Sequence, residues 1–318
     1  MEHLASKRKL WFTISLIALL PGLISLLFFG LKLGIDFTGG SQLLLQFDEP
    51  VATESVAAVL RAQGYESVQV QTVQADQGYG IQIRMPEVRE GSPEKERLYQ
   101  GFRDEVGTFT ELDFSTIGAS VGNEIRDRAI LAVALASIGI LLYIGYAFRN
   151  TQNPWLYGTC AIVAMLHDVL IVVGVFSILG AVANVEIDAL FVTALLTVIG
   201  FSVHDTIVVF DRIRENLARL AAPTFEGIVD YSLAQTLVRS LNTSLTVVLT
   251  LLALYLFGGT STRNFVLALL IGVVVGTYSS IFNASQLLVA WENGEIQRLF
   301  RRGTRRGPRS GRVAVSGH

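Results

Sequence analysis

Six long apolar runs, separated by polar segments, dominate the pattern of hydrophobic and polar positions along the chain. Each run has close to the roughly 20 apolar residues that a helix needs to cross a bilayer. The runs span Leu10–Leu31, Ala129–Phe148, Trp155–Leu179, Ile187–Phe210, Ser240–Phe257 and Phe265–Trp291. Pro21 and Gly22 predict a kink or break in the first run. The pattern therefore predicts an α-helical integral membrane protein built on a six-transmembrane-helix bundle.

The first apolar run follows a basic N-terminus, as in a secretory signal. It is longer than the apolar core of a signal, which has about 7–15 residues, and no small-residue cleavage site ends it. We therefore expect an uncleaved membrane helix. The composition agrees, because only 16% of residues are charged and the mean hydropathy is +0.49, whereas soluble domains have about a quarter charged residues. The single cysteine, Cys160, excludes an intrachain disulfide.

Between the first two apolar runs, the pattern changes to short alternating segments typical of an α+β domain. We predict strands at Ser41–Asp48, Ser67–Val73, Gly78–Met85 and Phe109–Ile117, helices at Thr53–Gln63 and Pro93–Val106, and a turn at Ala75–Gln77. Ser92 is suited to cap the second helix, with Pro93 at the first helical position. The order β-α-β-β-α-β is that of the ferredoxin-like motif.

Four domains follow from this pattern. Residues 1–31 hold the cytoplasmic N-terminus and first membrane helix, 32–128 the periplasmic ferredoxin-like domain, 129–291 the second to sixth helices, and 292–318 a basic cytoplasmic tail. The orientation rests on the positive-inside rule. Basic residues concentrate in both termini and in alternate connecting segments, whereas the short loops on the opposite side contain only Arg263. Both termini are therefore predicted to be cytoplasmic.

The cytoplasmic segments have distinct compositions. Asn216–Val238 mixes polar and apolar residues and predicts a short amphipathic helix at the membrane interface. Arg301–Arg312 is basic and rich in glycine, which predicts disorder and attraction to anionic membrane lipids. No aromatic residues interleave with these arginines to stack on bases, so we expect no specific nucleic-acid partner. An ion-pair cluster without a transport role is predicted at the end of the fourth helix, from Asp211, Arg212, Arg214 and Glu215.

The most informative residue is Asp205, which lies beside His204 inside the fourth apolar run. Ionised groups at bilayer depth are costly, so they usually face a protein interior or a hydrated cavity and take part in ion or proton movement. Arg239 opens the next apolar run, within reach of Asp205 across a helical hairpin. Asn242 and Thr243 follow Arg239 along one helix face. We predict a proton relay formed by Asp205, Arg239, His204, Asn242 and Thr243.

The predicted relay depends on a balance between burial and charge. Burial favours the protonated form of an aspartate, whereas a nearby arginine favours the ionised form. Movement of Arg239 relative to Asp205 would then switch proton binding, and access from opposite sides would let each proton drive a conformational change. The membrane potential contributes ~2.3 kcal/mol per charge per 100 mV. The proton gradient replaces a cofactor, and no GxxxxGK[ST] phosphate loop indicates use of ATP within this chain.

Other polar residues extend the membrane pattern. Thr246 and Thr250 continue the face that starts at Arg239. The sixth run has a similar line of Ser279, Asn283 and Gln286 beside the glycine pair Gly272 and Gly276. Glycines at this spacing favour close helix contact. We expect these polar faces to meet one another or another subunit around a hydrated path, although Thr246 and Thr250 have the alternative of bonding back to their own helix.

His167 and Asp168 in the third run repeat the His-Asp dipeptide of the fourth. A metal site is one interpretation, but adjacent helix positions point about 100° apart, so each pair offers one inward ligand and we expect no metal. An intramembrane aspartyl protease needs two carboxylates, but neither aspartate lies in a GxGD context. Two interpretations stay open for His167 and Asp168: an interhelical hydrogen bond that fixes the bundle, or a secondary role beside the proton path.

Four motifs in order carry a family resemblance: GIDFTGG (Gly34–Gly40), VIGFSVHDTIVVFDRIRE (Val198–Glu215), RSLNTS (Arg239–Ser244) and LYLFGG (Leu254–Gly259). With six spans and a large first external loop, nearly the whole chain resembles the SecF half of the SecD/SecF family of protein-export membrane proteins. This family belongs to the resistance-nodulation-division superfamily. The resemblance implies one half of a 12-helix core and no enzyme activity.

In this family SecF pairs with SecD, and the two assist export of preproteins through the SecYEG channel of the bacterial cytoplasmic (inner) membrane. Proton flow is thought to move their external domains, which capture emerging preproteins. YajC and YidC are further partners that the resemblance implies. It also matches Asp205 to the essential membrane aspartate of the fourth helix and Arg239 to the arginine opposite it. The family commonly has asparagine where this chain has His204, and histidine titrates near neutrality, so either one group or two carry the proton.

Two alternative functions remain at this stage. One is a small-molecule or lipid exporter half of the same superfamily, whose external domains are usually larger. The other is a scaffold without transport activity, for which Asp205→Asn would weaken assembly and leave proton flux unchanged.

Overall fold

The computed structural model describes residues 4–73, 79–149, 151, 153–295 and 298. In chain order its elements are α1 (Arg8–Phe29), α2 (Ile35–Thr38), β1 (Gly40–Phe47), α3 (Thr53–Ala62), β2 (Gln69–Val73), β3 (Tyr79–Met85), α4 (Pro93–Glu105), β4 (Phe109–Ile117), α5 (Ala119–Ala147), α6 (Pro154–Ala183), α7 (Ala189–Ala218), α8 (Phe225–Phe257), α9 (Arg263–Ser279) and α10 (Ser285–Glu292). A π-helical turn, Ser280–Ala284, joins α9 to α10 within one continuous span. Six helices in this part of the chain are long and apolar enough to cross a membrane, which confirms the predicted architecture.

Two features of the helices differ from the prediction. α1 continues through Pro21, so the break that was one of the two predicted outcomes is absent there. The prediction of a separate interfacial helix at Asn216–Val238 was wrong. α7 runs to Ala218, and α8 starts at Phe225 and continues into the fifth span. The Thr224 hydroxyl starts α8 by accepting the N–H of Gly227 at 3.1 Å. Each residue added to an existing helix gains a hydrogen bond, so the polar segment extends the membrane helix.

A four-stranded antiparallel sheet forms the domain between α1 and α5, in the order β2-β3-β1-β4. With α3 and α4 this is the predicted β-α-β-β-α-β motif, here called the sheet domain. Ser92 caps α4 as predicted, since its hydroxyl accepts the N–H of Lys95 at 3.3 Å. The predicted turn at Ala75–Gln77 and the basic segment Arg301–Arg312 lie outside the described residues.

The core of the sheet domain follows from alternation along its central strand. On β1, Leu43, Leu45 and Phe47 are buried, and the residues between them are half-buried. The buried positions pack against Leu60 of α3 and Leu98 of α4. Alternate strand residues point to opposite faces, so one face of the sheet carries both helices.

The membrane helices form an inner and an outer group. In the inner group (α6, α7 and the span from α9 to α10), 44%, 50% and 56% of the most apolar stretch is buried within the chain. In the outer group (α1, α5 and α8) the corresponding shares are 17%, 6% and 11%. The outer helices therefore present most of their surface to lipid or to another protein.

Glycines bring several of these helices into close contact. A Cβ atom at Gly272 would lie 2.1 Å from Cγ2 of Val198, and one at Gly276 would lie 3.0 Å from Cβ of Ser202. The predicted close contact at this glycine pair is confirmed, with α7 as the neighbour. Gly22 of α1 contacts α6 in the same way, since its added Cβ would lie 2.8 Å from the Cα atom of Gly174.

The linking segment (Lys32–Gly40) joins the sheet domain to the start of α7. The N–H of Gly34 donates to the carbonyl of Ile187 at 2.7 Å, and the N–H of Ile187 donates to Lys32 at 2.9 Å. The Asp36 carboxylate accepts the N–H of Ala189 at 2.7 Å, which places a negative charge at the N-terminus of α7. A side chain at Gly34 would be 2.8 Å from the Ile187 carbonyl oxygen. The first turn of α7 is therefore bound directly to the linking segment.

Candidate functional site: a buried acid beside an exposed polar face

Asp205 lies near the middle of α7, about 24 Å along the axis from the first residue of the helix. The residue is only 3% exposed. One hydroxyl reaches its carboxylate: Ser244 Oγ of α8 lies 3.5 Å from Asp205 Oδ2. Thr277 of α9 donates to Ser244 at 2.6 Å. Three helices therefore meet at this acid, and its hydrogen bonding to the described residues is sparse.

The structure does not bring Arg239 to Asp205. Arg239 is exposed on α8, and no ion pair joins the two side chains among the described residues. Ser244, five residues after Arg239, contacts the acid instead. Five residues correspond to about 7.5 Å of rise and about 140° of rotation, so the arginine lies on another face of α8 than the serine.

The other predicted relay residues also lie on exposed faces. Asn242 and Thr243 are exposed beside Arg239, and His204 is exposed on α7 next to the buried Asp205. The hydroxyls of Thr243, Thr246 and Thr250 bond back to their own helix. This pattern defines an exposed polar face on two adjacent helices, formed by His204, Arg239, Asn242, Thr243, Thr246 and Thr250.

Asp168 is the second buried acid of the bundle, and the chain surrounds it completely. It is 0% exposed. Its Oδ2 accepts hydrogen bonds from Ser202 of α7 and Ser279 of α9, both at 2.6 Å. Its Oδ1 lies 2.9 Å from Nδ1 of His167. The predicted interhelical hydrogen bonding of Asp168 is therefore present.

The polar line predicted on the sixth span lies inside the bundle. Ser279, Asn283 and Gln286 are all buried. Ser279 donates to Asp168, and the Asn283 amide nitrogen lies 3.4 Å from both ring nitrogens of His167. Ser279 and Asn283 thus belong to one cluster with the His-Asp dipeptide of the third span, whereas Gln286 bonds to Ser285.

Three hydroxyls were missed by the sequence analysis: Ser202, Ser244 and Thr277. Serine and threonine commonly bond to their own helix, so their presence in apolar runs is a weak signal. The spacing of Ser202 and Asp205, three residues apart on one helix face, was the available indication.

The charged residues at the end of α7 form the predicted cluster. Arg212 contacts Glu215 at 2.5 Å, and Arg214 contacts Asp211 at 2.5 Å. Within the described residues, no group of three or more His, Cys, Asp or Glu side chains is arranged to hold a metal ion.

Comparison with known proteins decides the family. The model for the C-terminal part of the protein-export membrane proteins SecD and SecF matches residues 99–294, and the SecD/SecF GG motif matches residues 24–51. This chain belongs to the SecD/SecF family. The protein translocase subunit SecF of Thermobaculum terrenum is 58% identical over 93% of this chain and 95% of its own length. The SecD/SecF assignment from the four motifs is confirmed.

SecDF proteins extend beyond this chain. SecDF of Bacillus subtilis is 37% identical over 92% of this chain, which covers 38% of the SecDF length. The crystal structure of SecDF, a translocon-associated membrane protein from Thermus thermophilus, matches with a TM-score of 0.80 and 33% identity. That match covers 92% of this chain and 38% of the SecDF chain. The chain is therefore a multi-pass membrane protein and an accessory subunit of the protein translocase, a transport component rather than an enzyme.

Proposed function

We propose that this subunit couples proton movement at Asp205 to movement of the sheet domain, in partnership with SecD, during preprotein export through SecYEG. The observation that carries the proposal is a carboxyl side chain, 3% exposed, midway along a membrane helix whose first turn is bound to the linking segment. A buried membrane acid of this kind is typical of proton pathways. The translocase subunits similar to this chain favour this function over small-molecule or lipid export.

The exposed polar face supports a six-helix partner. Arg239, Asn242 and His204 would be costly to leave against lipid. SecDF proteins are longer than this sequence, which matches 38% of the length of each of the two SecDF chains compared. A SecD half packed on this face would bury these side chains and complete the surroundings of Asp205. In this arrangement Arg239 approaches or leaves the acid as the two halves move.

The linking segment supports a mechanical connection. Its backbone pairs with Ile187, and Asp36 bonds to the first residue of α7. Arg84 of β3 adds an ion pair of 3.0 Å with Glu186 and a hydrogen bond of 2.8 Å to the Leu33 carbonyl. A shift of α7 on proton binding would therefore move the base of the sheet domain with it.

The ends of the helices support the proposed orientation. Arg8 at the start of α1 forms a 2.9 Å ion pair with Glu226 at the start of α8, and it also pairs with Glu295 after α10. These helix ends lie on the same side of the membrane as the arginine cluster near the C-terminal end of α7. The positive-inside rule assigns that side to the cytoplasm. Both termini then lie in the cytoplasm of a bacterium and the sheet domain in the periplasm. YajC, YidC and anionic lipids are further proposed partners at this membrane.

Preprotein export into inverted membrane vesicles tests the proposal. Asp205→Asn keeps the size of the side chain but cannot carry a proton. We expect it to abolish the stimulation of export by the proton motive force while SecD still co-purifies. Asp211→Asn is the matched control, because Asp211 is an exposed acid on the same helix paired with Arg214, and it should keep the stimulation.

Two results would count against the proposed function. Full stimulation in the Asp205→Asn variant would remove the acid from the coupling. Loss of SecD co-purification with unchanged proton flux would identify Asp205 as part of a scaffold that has no transport role.

A further inference from the structure

The cluster around Asp168 differs from an ordinary structural contact because a path of polar groups leads away from it. His167 touches the amide of Asn283, and Asn283 Oδ1 accepts a hydrogen bond from Ser15 of α1 at 2.8 Å. Ser15 lies 3.4 Å from the hydroxyl of Tyr278, which donates to the Trp11 carbonyl at 3.1 Å. Trp11 belongs to the first turn of α1. The polar path therefore connects the fully buried acid to the end of the bundle where α1 begins.

The side chains of His167 and Asp168 lie 2.9 Å apart, close enough for a proton on either group to be hydrogen-bonded by the other. With a neutral imidazole and an ionised carboxylate, the pair has one net negative charge. One added proton makes the pair neutral, either as imidazolium beside carboxylate or as imidazole beside carboxylic acid. A neutral hydrogen-bonded pair costs much less to bury than an uncompensated charge. The hydroxyls of Ser202 and Ser279 favour the state with an ionised carboxylate, because they donate hydrogen bonds to it.

We propose that His167 and Asp168 form a second proton-binding site, reached along the polar path from the α1 end and coupled to Asp205 through α7 and α9. The ligand is a proton, and the site extends the proton-coupled function proposed above. Its partners within the chain are complete, so it takes up a proton without the second half that the Asp205 site needs.

The coupling follows from shared helices. Ser202 donates to Asp168 and lies one turn before Asp205 on α7. On α9, Ser279 donates to Asp168 and Thr277 donates to Ser244, the neighbour of Asp205. A protonated carboxyl group accepts hydrogen bonds more weakly than a carboxylate, so proton uptake at Asp168 loosens both helices where they also surround Asp205.

The π-helical turn lies at the same contact. Ser280 Oγ lies 2.9 Å from Thr206 Oγ1 and donates to the Ser202 carbonyl at 3.1 Å. π-helical turns are rare in proteins, and those that occur are often found at functional sites. They interrupt the regular hydrogen-bond ladder of the helix. This turn therefore provides a place where α9 adjusts when the serine bonds to Asp168 change.

Two further titratable side chains of the described residues border the pair or its polar path. α7 contributes Asp205 on the adjoining turn, and the span from α9 to α10 contributes the Tyr278 hydroxyl at the far end of the path. α1 contributes Ser15 and a backbone carbonyl. In the part of the chain that the structure describes, no lysine or arginine forms an ion pair with Asp168. The protonation state of the pair therefore depends mainly on its own two groups.

Infrared difference spectroscopy against pH tests the site in the full chain reconstituted in lipid bilayers, with isotope-labelled aspartate and histidine. The background is Asp205→Asn, so the result is independent of proton-driven export. We expect this protein to keep a pH-dependent carboxyl or imidazole band that disappears when Asp168→Asn is added. Ser177→Ala is the control, because it removes a buried hydroxyl that bonds Ser25 and the Gly30 carbonyl, and it should leave the band unchanged.

A second variant covers the case in which Asp168→Asn fails to fold. Ser279→Ala removes one donor to the carboxylate and should move the midpoint of the band to higher pH by about one unit. A hydrogen-bonded cluster that only fixes the helices has no midpoint to move. The proposal is overturned if every pH-dependent band of the Asp205→Asn protein persists when Asp168→Asn is added, or if Ser279→Ala moves none of these bands. Either result would leave the export test of Asp205 unaffected.

Discussion

The two buried aspartates of this bundle differ in how strongly the described residues hydrogen-bond them. Asp168 accepts two serine hydroxyls at 2.6 Å and contacts His167 at 2.9 Å, whereas Asp205 has one hydroxyl at 3.5 Å. Asp168 lies between inner helices of the bundle. Asp205 lies where α7 meets α8, an outer helix with 11% of its apolar stretch buried. The hydrogen bonds of Asp168 come from within this chain, whereas the sparse hydrogen bonding of Asp205 is what the proposed SecD partner would complete.

Arg239 provides the strongest way to break this comparison. If the partner half completes the Asp205 site, Arg239→Gln removes the cation that changes proton binding, and proton-stimulated export should fall on the order of tenfold or more. The unfolding free energy of the chain alone should change by less than ~0.5 kcal/mol, because the side chain is exposed. Export into inverted vesicles and unfolding in detergent measure the two effects.

Arg263→Gln is the control for loss of an exposed arginine. Arg263 is the first residue of α9 and lies over the ring of Tyr255. Its replacement should leave export near the level of the unmodified protein. Export by the Arg239→Gln variant at that same level would show that the Asp205 site works without the arginine.

Alanine replacement of the two acids compares their contributions to stability. Asp168→Ala leaves Ser202, Ser279 and His167 without a buried acceptor, so it should lower the free energy of unfolding by roughly 2–4 kcal/mol. Asp205→Ala removes one long hydrogen bond and should lower it by less than ~1 kcal/mol. Unfolding of the full chain in detergent measures both.

Asp168→Asn is the control for this comparison, because it keeps an oxygen acceptor and should lose less stability than Asp168→Ala. Equal losses for the two alanine variants would contradict the view that the chain hydrogen-bonds Asp168 strongly and Asp205 only weakly.

The sequence predicted the architecture because its signals are local. Apolar runs of membrane length predicted the six spans, and alternation in Ser67–Val73 predicted the strand observed as β2. The predicted strand Phe109–Ile117 matches β4 in full. The capping role of Ser92 was predictable from one serine followed by proline. The continuity of α8 was harder to predict from the sequence. Its polar first part has the composition of an interfacial segment, although in the structure it continues into the fifth membrane span.

The geometry of the acid sites was only partly predictable. Adjacent positions on a helix diverge, which correctly separated the buried Asp205 from the exposed His204. The rotation of α8 against α7 is set by packing along both helices, so adjacency in sequence suggested Arg239 as the neighbour where the structure places Ser244. The contacts that a partner subunit makes cannot be predicted from the sequence of this chain alone. The pairing of Arg239 with Asp205 therefore stays a prediction.

Two glycines provide the most sensitive test of which faces are already packed. Gly272→Ala would place a methyl group 2.1 Å from the Val198 side chain, so it should destabilise the chain alone by about 1–3 kcal/mol. Gly200 lies on the exposed face of α7, one turn before His204, and an added Cβ meets no atom within 4 Å. Gly200→Ala should therefore change the stability of the chain alone by less than ~0.5 kcal/mol.

The Gly200→Ala and Gly272→Ala variants should also differ in how they affect binding of the partner. If SecD packs on the exposed polar face, the methyl group at Gly200 disturbs that contact, and the variant should co-purify with less SecD although it folds normally. Gly139→Ala is the matched control, because Gly139 lies on the outer helix α5 and its added Cβ also meets no atom within 4 Å. Normal co-purification of the Gly200→Ala variant would place the partner on another face, and the sparse hydrogen bonding of Asp205 would then need a different explanation.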